Sequence, residues 1–487
     1  MQLRSVIAVA GSLALLFFSS LLAAQQTTPH ATSADDSLDA TNSPTEDADS
    51  NVRIVRLSEV TGTVAIDRDV GDGFEDALVN MPITERTMLK TGLGFAEVEF
   101  EDNSTLRLTP NSLVEFQRLE LLPSGAKVST INVERGTVFV SLSRSPGQEF
   151  KLTFGHQETS LAPATNLRLF LSGTWATLAV FGGSVQLDTP AGPLFVSKKK
   201  TLTLELLSPP QITVSKNVEA PYDEWNQQAI EYHEHFAKGK AFANTVNTSG
   251  VSDMNRYGRL VNTGCGPLWR PYFATAVWDP FANGAWVWYP AWGYAWVSPY
   301  PWGWMPYHYG SWEYCPGYGW GWRRSGTKFR PIPKPVKPPH GIPPGPRPPR
   351  HPEPGAPRII PVNQKPAVAS GLNSASRLVI RQDSAGLGVP RSTTGNLNRL
   401  AEHLGQRGTE SMAVRSPVAT AESRAAFSSG YPAQSGRTSY SHTGASSYSS
   451  ARSSSYSGAT GHSYSSSDSG RGSTSTGSAV GGGGGRK

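Results

Sequence analysis

Eleven of the chain's 13 tryptophans fall between Trp269 and Trp322, within 487 residues. The centre of that window reads Gly-Ala-Trp-Val-Trp-Tyr-Pro-Ala-Trp-Gly-Tyr-Ala-Trp over 284–296. It returns as Gly-Ser-Trp-Glu-Tyr-Cys-Pro-Gly-Tyr-Gly-Trp-Gly-Trp over 310–322. The copies keep register at 26 residues, pairing Gly284 with Gly310, Trp286 with Trp312, Pro290 with Pro316 and Trp296 with Trp322. A repeat of this kind is one supersecondary unit used twice. Aromatics at alternate positions on both sides of a Pro/Gly turn predict a β-hairpin in each copy. Pro316-Gly317 fits the central pair of a type II turn, where glycine takes positive φ freely. Two readings of the rings stand together. Trp286, Trp288, Trp292, Trp296, Trp312, Trp320 and Trp322 can stack on sugar rings of an envelope polysaccharide. Alternatively they fill the interior of a module too small to build a core from aliphatic side chains, in which case some rings stay exposed.

The ends of the chain bound where this module works. Residues 1–24 read as an export signal: Arg4 precedes an apolar run from Val6 to Leu22, and Ala23-Ala24 precede polar Gln25. No cysteine follows that run, which excludes a lipoprotein anchor; an uncleaved membrane anchor stays open as the alternative. Residues 25–51 form an acidic spacer with six carboxylates and no Lys or Arg before residue 51. Residues 323–366 form a basic Pro-rich linker, with ten Lys/Arg against the single Glu353. Residues 367–487 are polar and then Ser/Gly/Tyr-rich, the composition of a disordered tail, with a short helix expected over Asn396–Leu404. Export makes nucleic acid an unexpected partner despite a net charge of +6. The expected location is the periplasm, outer envelope or extracellular space. Expected partners are envelope polysaccharides or envelope proteins, with membrane contact only if residues 1–24 are retained.

Residues 52–207 alternate apolar and polar positions in short runs, among them Ala96-Glu-Val-Glu-Phe100, Thr105-Leu-Arg-Leu108, Phe150-Lys-Leu-Thr-Phe154 and Leu167-Arg-Leu-Phe-Leu171. Turn signals recur between them, which predicts an all-β sandwich or solenoid with one face of each strand dry and the other wet. Gly-Thr/Ser-Val starts a strand three times, at 62–64, 136–138 and 183–185. Several strings carry a family resemblance: Val60-Thr-Gly-Thr-Val64, Leu89-Lys-Thr-Gly92, the run from Ala96 to Ser112, and Val133-Glu-Arg-Gly-Thr-Val138. Through them residues 57–187 resemble the extracytoplasmic FecR domain. The resemblance implies an antiparallel β module, and its signalling role supplies an alternative function: a FecR-type sensor anchored by the N-terminal segment.

Residues 221–238 predict a linking helix, with Trp225, Ala229, Tyr232 and Phe236 on one stripe. His233 and His235 point to different faces of it, so they do not share a metal ion. Cys265 and Cys315, the only cysteines, bracket the aromatic window and are disulfide candidates in an oxidising compartment, the alternative being two unpaired thiols. Through Pro301-Trp-Gly-Trp-Met-Pro-Tyr-His-Tyr-Gly310 and the helix before it, residues 215–322 resemble an uncharacterised Trp/Tyr-repeat family of exported bacterial proteins. No nucleophile elbow, phosphate loop or zinc motif is present, so no catalytic residue, cofactor or metal is expected. The expectation is a mainly β, non-enzymatic envelope protein: a FecR-like antiparallel sandwich or solenoid, one linking helix, a small aromatic hairpin module and a long tail.

Overall fold

Strands cross between two stacked sheets throughout the first module, and the crossing points are where the sequence places its turn residues. The structure, a computed structural model, describes residues 53–413 except 190, 208–210, 239–247, 327, 337, 343–344, 351–357, 363–376, 392–394 and 408–409. The expected export signal, the acidic spacer and the Ser/Gly/Tyr-rich end lie outside the described residues.

One sheet runs, in spatial order, β3 (Glu75–Asp76), β2 (Val64–Asp67), β5 (Met88–Thr91), β8 (Leu113–Leu121) and the first half of β9 (Lys127–Ser141). It continues through β10 (Gln148–Phe154), β11 (Gln157–Leu161), β14 (Ser184–Thr189) and β15 (Gly192–Ser197). The other runs β4 (Pro82–Ile83), β1 (Val55–Thr61), β6 (Phe95–Glu99), β7 (Thr105–Leu108) and the second half of β9. Beyond it come β12 (Asn166–Ser172), β13 (Trp175–Gly182), β16 (Lys200–Glu205) and β17 (Gln211–Lys216). Every pairing is antiparallel except β9 with β10. The inward faces close a single core that includes Leu57, Ile66, Val98, Phe116, Ile131, Val138, Leu152 and Leu169.

The three Gly-Thr/Ser-Val strings sit at sheet-to-sheet corners. Gly136 divides β9 between the sheets at φ +93°, and a Cβ there would strike Ser112. Gly62 and Gly183 turn their corners at φ +70° and +68°. Only glycine takes this backbone conformation without strain.

After the sandwich come helix α1 (Asp223–Phe236) and short helix α2 (Val251–Tyr257), which the sequence pattern did not announce. Hairpin β18 (Gly258–Thr263) and β19 (Gly266–Pro271) follows. The two repeats form hairpins β20 (Gly284–Tyr289)/β21 (Gly293–Val297) and β22 (Ser311–Cys315)/β23 (Gly319–Arg323), with α3 (Met305–His308) between them. Their registers are equivalent: Trp286 opposes Trp296 as Trp312 opposes Trp322. The Cys315 carbonyl accepts from the Tyr318 N–H and Gly317 lies at φ +78°, as a type II turn requires.

The first hairpin divides two cores. Ala285, Val287, Tyr289, Ala295 and Val297 face the sandwich core, while Trp286, Trp288, Tyr294 and Trp296 face a second, aromatic core. The second hairpin sends Trp312, Tyr314, Trp320 and Trp322 into that aromatic core from the other side, and its opposite face carries Glu313, Gly321 and Arg323. The period of two therefore explains why one repeat alternates Trp with Ala and Val while the other alternates it with Glu and Gly.

The globular body does not stop at Trp322. Strand β24 (Ile359–Val362) pairs with β20, β25 (Arg377–Ile380) pairs with β26 (Glu410–Ala413), and helix α4 spans Leu397–Arg407. Ile380, Ala385, Val389, Leu397, Ala401 and Leu404 are buried in the aromatic core. A compositional boundary at 323 misplaces these residues, because the large rings need a cover that the hairpins alone do not supply.

Candidate functional site

Alternation on β6 places Glu97 and Glu99 opposite the sandwich core, where the sequence pattern predicts water. Both are buried, at 1% and 0% exposure. Helices α1 and α2 and a segment ending at Arg391 cover that face, and charge neutralises charge beneath them. Glu97 stands directly across from Arg107 on β7, with Arg107 Nε 2.8 Å from its carboxylate. Arg56 on β1 lies 3.0 Å from Glu99 and 2.7 Å from Asp253 of α2. Arg391 grips Asp253 with two nitrogens at 2.8 Å and reaches Glu97 at 2.6 Å. Three guanidiniums thus meet three carboxylates contributed by the sandwich, the aromatic module and the chain beyond it.

Hydrogen bonds complete the cluster. His233 Nε2 lies 3.0 Å from Glu97 and its Nδ1 lies 3.3 Å from Ser252 Oγ. Tyr232 donates to Asp253 at 2.7 Å, and Arg107 donates to Asn226 at 2.9 Å. Arg56 donates to Asn80, whose amide donates to the Ser298 and Tyr300 carbonyls. Burial would raise the Glu97 carboxyl, but His233, Arg391 and Arg107 outweigh it and hold it well below the usual range. Asp253 is lowered against the same desolvation by Arg391 and Arg56. Burial wins at Glu99 and at Glu59, which are raised. Such a cluster holds modules together and offers no free nucleophile or proton acceptor. A buried pair broken on one side leaves the other charge without solvation.

The apolar stripe read from the helix lies over the sheet: Trp225 packs 4.8 Å from the Phe95 ring. The deepest α1 residues are its neighbours Asn226 and His233, which the stripe did not single out. Signals for part of the cluster existed. The Asp102-Asn103 turn fixes the β6/β7 register and so sets Glu97 across from Arg107. Arg391 carried no local signal, being 294 residues from Glu97.

Six of the seven tryptophans named as stacking candidates come together in the aromatic core, and Trp292 packs against the sandwich core; they do not line one open face. Trp286, Trp296, Trp312, Trp320 and Trp322 are at most 3% exposed, and only Trp288 and Trp292 are half-buried. Cys265, in the β18–β19 turn, is bonded to Cys315 at the end of β22. Glu231 and His235 are exposed on α1, apart from His233.

Fold and cluster define a two-module β protein whose sandwich is clamped by the chain that follows it. Within the first module residues 88–186 are a FecR domain, matching the family described as FecR protein. A family of unknown function, DUF6600, matches residues 251–334, which hold α2 and both aromatic hairpins. Two crystal structures of a protein from Parabacteroides distasonis, assigned as an anti-sigma factor, align at 12% identity with a TM-score of 0.25. They cover 29% of this chain, which spans 64% of that protein's length. No curated protein matches.

Proposed function

We propose that this chain is an exported, non-enzymatic protein of the bacterial envelope, of sensor or regulator type, in which the FecR sandwich and the aromatic module act as one binding body. The buried ionic cluster carries this reading. It joins Glu97 and Glu99 of the sandwich to Asp253 of the aromatic module and to Arg391, so a load or ligand on one module is felt by the other. The scaffold role belongs to the same reading: the basic residues of 323–366 supply contacts to anionic envelope polymers, and the aromatic module to envelope glycan. In the FecR-type alternative, residues 1–24 stay in the membrane and hold the body next to a partner there.

Fractionation of cells carrying the full chain tests this. The chain is expected in the envelope fraction, cleaved by added protease only once the outer barrier is opened. A product with residues 1–24 intact in the membrane selects the anchored sensor, and a mature start near Gln25 selects the free binding body. Residence in the cytosol overturns both.

A further inference from the structure

Phe329 lies just beyond the second hairpin, in a stretch whose described neighbours Arg324, Ser325, Gly326 and Lys328 are exposed. Its ring is held by four others. His308 stacks on it at 4.6 Å and 22°, and Trp292, Trp304 and Tyr309 surround it at 5.6, 5.7 and 6.2 Å. Trp304 and His308 are each 1% exposed, whereas Phe329 itself reaches solvent.

The polar atoms of this box are not matched by its contents. His308 Nδ1 donates to the Arg330 carbonyl at 2.8 Å, which leaves Nε2 as an acceptor. That Nε2 and the indole N–H groups of Trp292 and Trp304 are buried without a partner. A phenyl ring has no lone pair for the indoles and no N–H or O–H for the imidazole, and orphaned buried groups of this kind call for an explanation. Trp288, Trp296 and Trp312 of the aromatic core also carry unpaired indole N–H groups. The Phe329 box differs in two ways: it gathers an acceptor with two donors, and its occupant sits at the surface on a short chain segment.

We propose that Trp292, Trp304, His308 and Tyr309 form a binding site for a neutral pyranose ring of an envelope glycan, occupied by Phe329 when no sugar is present. A pyranose offers what the box lacks. Its C–H face stacks on an indole as the phenyl ring does, while its hydroxyls accept from the two N–H groups and donate to His308 Nε2. The neutral imidazole suits an uncharged ligand, and burial keeps it neutral by lowering its pKa to about 4. Phe329 lowers the apparent affinity by the fraction of time it fills the box; 99% occupancy costs about a hundredfold.

The test titrates the purified full chain with a β-1,4-linked N-acetylglucosamine tetramer, following tryptophan fluorescence and calorimetry. Wild type is expected to bind weakly, Phe329→Ala about ten- to a hundredfold tighter, and Phe329→Ala combined with Trp292→Ala no better than wild type. A Phe329→Ala protein that melts like wild type and gains no affinity overturns the proposal. Should Phe329→Ala fail to fold, Phe329→Leu decides, since it keeps an apolar filler but loses stacking. A gain in affinity supports the site, and unchanged affinity overturns it. Binding is read directly and needs no signalling partner, so a failure here leaves the sensor reading standing and tells only against a sugar site.

Discussion

Arg391 and His308 show how single side chains hold this body together through opposite electrostatic states. Arg391 is charged and saturated, with Asp253, Glu97 and the Tyr232 ring around it. Replacing it by Met leaves buried carboxylates with fewer cations and is expected to cost about 3–5 kcal/mol. Urea unfolding of Arg391→Met against wild type measures this. Asp253→Asn in the Arg391→Met background is expected to cost less than it does alone, because the two residues share one interaction. His308 is buried and neutral, its pKa lowered to about 4 by burial and the Arg56 charge, against the Arg330 carbonyl that favours protonation. The unfolded chain binds this proton at about pH 6.5, so between the two values the unfolded state holds more protons and stability falls as pH falls. That one residue is expected to remove about 3 kcal/mol between pH 6.5 and pH 4. The lowered carboxylates Glu97 and Asp253 lose their contribution only below about pH 4, and raised Glu59 and Glu99 act in the opposite direction as acid is added. Melting temperature against pH should therefore be flatter for His308→Gln than for wild type over that window. Parallel curves would place the sensitivity elsewhere.

At the scale of the hairpin, the repeat encodes both its fold and its closeness of packing. Gly284 and Gly310 open the two copies, and a Cβ on either would strike the tryptophan that closes the same copy, Trp296 or Trp322. The tryptophan ring is the nearest obstacle at Gly284, whereas at Gly310 the Arg323 carbonyl is nearer still and φ is +73°. Gly284→Ala is expected to lower stability by about 1–3 kcal/mol through overpacking. Calorimetry of the full chain checks it, and a loss below about 0.5 kcal/mol, the range of a surface change, would show that the ring moves aside freely. These elements were legible in the sequence because the period of two, the turn residues and the repeat all point to one answer. The environment of each face was not. Alternation on β6 gives the right strand and the right side for Glu97 and Glu99, yet says nothing about what covers that side. The same limit applies to the tryptophans: spacing shows that Trp286 and Trp296 share a face, whereas burial depends on the opposing hairpin and on residues beyond 323.

Across the whole molecule, composition marked the end of the globular part too early, since a Pro-rich stretch reads as a spacer whether or not it packs. Here it packs. The backbone N–H groups of Trp296 and Trp312 donate to the Pro331 and Lys334 carbonyls, and β24 covers the open edge of β20. Farther on, the Tyr257 hydroxyl donates to the Val389 carbonyl and the Trp302 indole donates to that of Ala385. Tyr257 and Trp302 are fully buried, so stopping the chain at Trp322 would bare a large part of the aromatic core and leave Asp253 without Arg391. A protein of residues 25–322 should bind a hydrophobic dye and aggregate on mild heating, whereas residues 25–413 should melt as the full chain does. Equal melting of all three would mean that the segments beyond 323 rest on a core already complete. If only the shorter protein fails, the aromatic module extends to α4, and the FecR sandwich is clamped by a strap more than 60 residues past the last tryptophan. Any ligand that loosened that strap would then act on both modules together.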